Sequence, residues 1–148
     1  MTADEILNTK HKDGTYASLK LSKECAEKLA NWCDENNIEH DKSKDLHCTI
    51  CYSSSPLPAA EVLNCVPVNV TAKIISWEKL GEKATVLLIK SEKIQQIFNL
   101  LKKFGASHDY PKFTPHISID STKHIDIPKI IPDFDIIFDK IIVAPLSD

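Results

Sequence analysis

The feature that most restricts this chain is an internal repeat. A shift of 69 positions carries Ser22 onto Ser91, Asn36 onto Gly105, His47 onto His116, Thr49 onto Ser118 and Ile50 onto Ile119. A helix start, a helix stop and a histidine-bearing strand therefore recur at one offset, as expected of a duplicated strand–helix–strand unit. In the first copy, residues 14–21 alternate as a strand does. Ser22 offers an N-cap, Cys25, Ala26, Leu29, Ala30 and Cys33 recur at helical spacing, and Asn36 is a stop. The short apolar run 46–52 reads as the second strand. In the second copy the strand is 84–90, Ser91 caps a helix carrying Ile94, Ile97, Phe98 and Leu101 that stops near Gly105, and 116–120 is the second strand. Residues 68–78 pair with 84–90 as a hairpin, 53–58 carry loop chemistry, and a last strand is predicted over 134–143, with Pro128 and Pro132 keeping the stretch before it irregular.

A chain of 148 residues holds one ordinary domain. The expectation is a single α+β domain over 1–148, with two pseudo-symmetric lobes at about 14–67 and 68–143. Their strands would form facing sheets around a central cleft, with the helices outside. The net charge of −3 argues against binding long nucleic acid, which needs a basic footprint. No run approaches the roughly 20 apolar residues of a membrane span, and Met1 to Glu5 lack the basic start of a secretory signal. A cytoplasmic protein with no membrane attachment and no obligate protein partner is expected. All 18 basic residues are Lys, so any phosphate must be held by lysine, imidazole, hydroxyl or backbone amide rather than by a guanidinium fork. Five cysteines without a signal sequence make a disulfide framework unexpected. Cys48 and Cys51 form a C-x-x-C inside an apolar run with no second pair, which points to buried thiols rather than zinc ligands.

In a strand, residues i and i+2 share a face. His47 therefore stands beside Thr49 and His116 beside Ser118, with Cys48, Ile50, Ile117 and Ile119 turned toward the core. If the two lobes converge, two imidazoles and two hydroxyls meet in one cleft. One neutral ring can take a proton from a nucleophile while one protonated ring supplies the leaving oxygen of a phosphodiester. The hydroxyls can donate to the non-bridging oxygens as charge builds on phosphorus. This scheme calls for no metal and no cofactor; a zinc reading of His47 and His116 would need a third ligand that no residue at ligand spacing supplies.

At these residues the chain resembles a known family. His47-Cys48-Thr49-Ile50 and His116-Ile117-Ser118-Ile119 look like the paired His-x-Thr/Ser-x motifs of the two-histidine (2H) phosphoesterase superfamily, whose bilobal fold the duplicated organisation over roughly 14–143 also resembles. Ser118 stands where Thr is also usual; the hydroxyl is kept and the methyl is not. The resemblance implies metal-independent cleavage of RNA-like phosphodiesters or 2',3'-cyclic phosphates. Size, the short polar leader and the loop 110–115 look most like the phage anti-CBASS nucleases. That implies a phosphodiesterase cutting 3'-5' bonds of cyclic di- and oligonucleotide immune signals in the host bacterial cytoplasm. The alternatives are a 2',3'-cyclic phosphodiesterase or 2'-5' RNA processing enzyme, and a protein that sequesters nucleotides without cutting them.

Four residues are candidates for substrate contact. Tyr16, on the first strand at the paired position of Thr85, is expected to face the cleft and stack a base. Trp77, at the end of the long hairpin strand, offers a base platform or a half-exposed core ring. Tyr110 and Lys112 lie with Phe113 on a proline-flanked loop before His116, Lys112 being a cation for a phosphate. Trp32 is expected to cover the core, and His11, His40, His108 and His124, in polar stretches, to lie at the surface.

Overall fold

The computed structural model describes residues 14–40, 46–80, 84–107, 113–120 and 127–145. Each α-helix among the described residues is started by a serine hydroxyl. Ser22 Oγ accepts the Cys25 backbone N–H at 3.1 Å and opens α1 (Lys23–Glu35). Ser91 Oγ accepts that of Ile94 at 3.3 Å and opens α2 (Glu92–Lys103). Both bonds satisfy a first-turn donor that the helix leaves unpaired. Each helix buries one stripe, Cys25, Leu29 and Cys33 on α1 and Ile94, Phe98 and Leu101 on α2. The chain leaves α1 through Asn37 at φ 56° and α2 through Gly105 at φ 105°. The left-handed residue after α1 is thus Asn37, one position beyond the predicted stop.

The strands are β1 (Thr15–Leu21), β2 (His47–Ser53), β3 (Pro67–Leu80), β4 (Ala84–Lys90), β5 (His116–Asp120) and β6 (Ile136–Pro145). The last begins and ends two residues later than predicted, because its ladder follows β1 as far as the Thr15–Pro145 pair. A 3-10 helix over Pro58–Leu63 begins at the last residue of the predicted loop and is entered where the Leu57 N–H donates to Thr15 Oγ1 at 2.8 Å. Among the described residues six strands pair antiparallel and close in the order β1-β2-β5-β4-β3-β6. The expected facing sheets are therefore joined into a barrel, through β2–β5 on one side and β3–β6 on the other.

Exchanging β1 with β4, β2 with β5 and β3 with β6 leaves that cyclic order unchanged. The first residues of the paired elements lie 69 apart: Thr15 and Ala84, Lys23 and Glu92, His47 and His116, Pro67 and Ile136. Side-chain register within β1 and β4 differs by one residue from this offset. Ser18 pairs with Thr49 and Lys20 with His47, whereas Val86 pairs with Ser118 and Leu88 with His116. The counterpart of Tyr16 is consequently Ala84, not Thr85, and Thr85 corresponds to Ala17; both of the latter are fully buried. A one-residue slip moves every side chain to the other face.

The core gathers Leu19, Leu21, Cys48, Ile50, Leu87, Ile89, Ile117, Ile119 and Phe138 with the helix stripes. Cys48 and Cys51 are both buried free thiols. Burial pushes the Cys48 thiol up to about 12, against a smaller opposing effect of its hydrogen bond with the His116 backbone.

Candidate active site

β2 and β5 meet at one registered pair among the described residues, Cys48 with Ile117. Both side chains are fully buried. In antiparallel strands, the neighbours of such a pair point the opposite way. His47 is thereby set level with Ser118, and Thr49 with His116, on the face away from the core. The burial pattern agrees: His47, Thr49 and His116 are half-buried and Ser118 is exposed, while Cys48, Ile50, Ile117 and Ile119 are buried. The structure thus brings the two motifs together across one seam.

His116 is held by its own approach segment. Its Nδ1–H donates to the Thr114 carbonyl at 2.7 Å, since a carbonyl can only accept. Nε2 is therefore the nitrogen left for chemistry. That segment is itself fixed: the Ile89 N–H donates to the Pro115 carbonyl at 3.1 Å, and Phe113 stacks on Phe98 of α2 at 4.1 Å between ring centroids, 9° from parallel.

The first motif is braced differently. Tyr16 on β1 shares a hydrogen bond of 2.9 Å between its hydroxyl and Thr49 Oγ1, and its ring meets that of His47 edge-on at 6.3 Å. Tyr16 faces the histidine side as predicted. Its counterpart Ala84 supplies no such brace to Ser118, so the two halves of the site differ in construction.

A residue that simple alternation misplaces also belongs to this face. The β1–β2 register passes from Ser18–Thr49 to Ala17–Cys51, so Ile50 is the extra residue of a β-bulge. A matching bulge at Ile119 lies between the Val86–Ser118 and Thr85–Asp120 pairs. Beyond the bulge at Ile50, Tyr52 pairs with Tyr16, and its ring meets that of Tyr16 edge-on at 6.3 Å. Counting by twos from His47 puts Tyr52 on the core side; the bulge returns it to the histidine face, 39% exposed.

Trp77 does not offer a base platform here. Its side chain is 7% exposed, its ring is stacked on Trp32 of α1 at 6.3 Å, and its Nε1–H donates to the Ile130 carbonyl at 2.7 Å. It pairs with Leu87, which in turn pairs with Ile117, so it lies on the core side of the sheet. Tyr110 and Lys112 lie outside the described residues, as do His11, His108 and His124. His40 lies half-buried after α1, its Nε2 3.0 Å from the exposed Asp34 Oδ1. Among the described residues no group of three or more His, Cys, Asp or Glu could hold a metal ion, and no helix is long and apolar enough to cross a membrane.

The chain is similar to known proteins in sequence and in fold. Residues 13–148 match the sequence family described as Anti-CBASS protein Acb1. The Anti-CBASS protein Acb1 of Acinetobacter phage Ac42 is 26% identical over 107 residues, which are 72% of this chain and 71% of that relative. The protein of the same description from Enterobacteria phage T4 is 24% identical over 107 residues, 72% of this chain and 70% of the relative. Among solved structures, apo E. coli LigT matches 93% of this chain and 96% of its own with a TM-score of 0.52 at 11% identity. That likeness is one of fold, the α+β two-histidine phosphoesterase fold.

Proposed function

Because this chain belongs to the Anti-CBASS protein Acb1 family, we propose that it is a phosphodiesterase that cuts the 3'-5' bonds of cyclic di- and oligonucleotide immune signals, with His47 and His116 as its acid–base pair. The observation that carries this reading is the Cys48–Ile117 seam, which turns His47, Thr49, His116 and Ser118 to one accessible face. A scissile phosphate on that seam is flanked by two imidazoles and two hydroxyls. One neutral imidazole takes the proton of a ribose 2'-hydroxyl as it attacks phosphorus, forming the new P–O bond. The other, protonated, gives its proton to the departing 5'-oxygen as the old P–O bond breaks. The nucleophile is already beside phosphorus, so proximity supplies part of the acceleration. Thr49 and Ser118 donate to the non-bridging oxygens, and Tyr16 holds the Thr49 hydroxyl in place. The Thr114 carbonyl leaves Nε2 of His116 as the nitrogen that exchanges the proton. Lys112 is a further candidate for phosphate contact and Tyr110 for base contact.

The test compares a panel of 3'-5' cyclic dinucleotides, their 2'-deoxy analogues and a linear 2'-5' oligoadenylate, with products followed by chromatography. The ribose rings should be opened, with a 2',3'-cyclic phosphate end appearing early, and the deoxy rings should stay intact. Equal cleavage of the deoxy rings would replace the 2'-hydroxyl by water as nucleophile. Cleavage confined to the linear 2'-5' substrate would replace the cyclic substrate by an RNA end.

A further inference from the structure

Tyr52 is an aromatic ring on the histidine face that the acid–base scheme leaves without a task. Its position there depends on the bulge at Ile50, which reverses the alternation of β2 immediately after the hydroxyl of the first motif. Tyr52 is 39% exposed on a strand whose neighbouring positions 50, 51 and 53 are buried. It also stands in a short line of rings: Tyr52 edge-on to Tyr16 at 6.3 Å and 82°, then Tyr16 edge-on to His47 at 6.3 Å and 79°. Tyr16 is tied to Thr49 through its hydroxyl, so the ring that Tyr52 leans on is itself fixed relative to the catalytic groups.

We propose that Tyr52 is the platform for a nucleobase of the substrate, stacking the base of a nucleotide that flanks the phosphate held between His47 and His116. This deepens, and rests on, the assignment of a cyclic nucleotide to that face. A base has a π-face whatever its identity, so a tyrosine face provides affinity with little choice among bases. A stacking platform also suits a chain with no arginine, whose lysines act on phosphate as point charges and give a planar base nothing to stack on. A fixed ring two contacts from His47 orients the nucleotide before chemistry begins.

Two substitutions separate stacking from mere apolar filling. Tyr52→Leu keeps an apolar contact with Tyr16 and removes the π-face; Tyr52→Phe keeps the π-face and removes the hydroxyl. Binding is measured with the 2'-deoxy analogue of an adenine cyclic dinucleotide, which lacks the proposed nucleophile, and turnover with its ribose parent. Tyr52→Leu should weaken binding and raise KM by roughly 5- to 150-fold, the usual effect of losing one stacked base, with kcat changed far less. Tyr52→Phe should stay near the unmodified protein in both. Unchanged binding by Tyr52→Leu overturns the platform, as does an equal loss in Leu and Phe, which would assign the effect to the hydroxyl. A fall in kcat at unchanged KM also overturns it, because Tyr52 would then act through Tyr16 on the histidine. If the unmodified protein binds the deoxy ring and cleaves no ribose ring, while Tyr52→Leu loses binding, the platform stands and the proposed reaction falls. If the unmodified protein binds no cyclic dinucleotide at all, both fall.

Discussion

Thr85 and Tyr16 show how much depends on one position. By sequence offset they are counterparts, yet Tyr16 touches His47 and Thr49 while Thr85 is sealed in the core, where its hydroxyl has no hydrogen-bond partner among the described residues. A buried hydroxyl without a partner costs about 1–3 kcal/mol. Thr85→Val, similar in shape and free of that hydroxyl, should therefore raise stability by ~1 kcal/mol in a urea titration; a loss would mean that the hydroxyl is satisfied in solution. The two imidazoles lead to a second expectation. One ring must be neutral and the other charged, so activity should fall at low pH as the base is protonated and at high pH as the acid loses its proton. A pH–rate profile of kcat/KM should be bell-shaped, and activity should persist in excess EDTA because proton transfer and hydroxyl donation call on no metal. A profile with one limb, or a loss restored by added manganese, would contradict this chemistry.

At the level of elements, what was legible is what local chemistry writes into neighbouring residues. Ser22 and Ser91 announce the helices because an N-cap serves a donor three residues away. Ser91→Ala should cost about 1 kcal/mol in the same titration; no change would make that hydroxyl dispensable. The His-x-hydroxyl strands were legible because a period of two fixes a shared face. The bulges at Ile50 and Ile119 were not, since an extra residue in an apolar run leaves the composition of that run unchanged. That hides the side on which Tyr52 lies. Tyr16 falls opposite the wrong counterpart because Ser22 stands two positions after Lys20, the partner of His47, whereas Ser91 stands three after Leu88, the partner of His116. Sequence leaves Trp77 open between platform and core ring because the ring of Trp32 and the carbonyl of Ile130 that hold it in the core are distant in sequence and adjacent only in the fold.

For the whole molecule, closure into a barrel makes both histidine strands depend on a core that contains several thiols. Burial raises Cys25 above the ordinary value of 9.0, Cys33 to about 11 and Cys48 to about 12. Unfolded chains ionise these thiols from about pH 9 while the folded protein keeps them protonated, so the unfolded state binds fewer protons in that range. Stability should be fully present below pH 9 and decline as pH rises toward 11 and 12, seen as a falling Tm. Of the five free thiols Cys65 is the exposed one, so a thiol reagent at neutral pH should label about one group in the native protein and five in denaturant. A flat Tm, or rapid labelling of several thiols, would mean a core that solvent enters.

On the proposed reaction, two motifs 69 residues apart act as one site across the Cys48–Ile117 seam. The most direct test is the turnover of a cyclic dinucleotide by His47→Ala, His116→Ala and the double variant. Each single variant should lose roughly 10²- to 10⁴-fold in kcat, the usual worth of a general acid or base, with the fold retained. The double variant should be little worse than either single one, because an acid and a base that serve one reaction fail together. A single variant with near-normal turnover, or two losses that multiply in the double variant, would contradict a joint site.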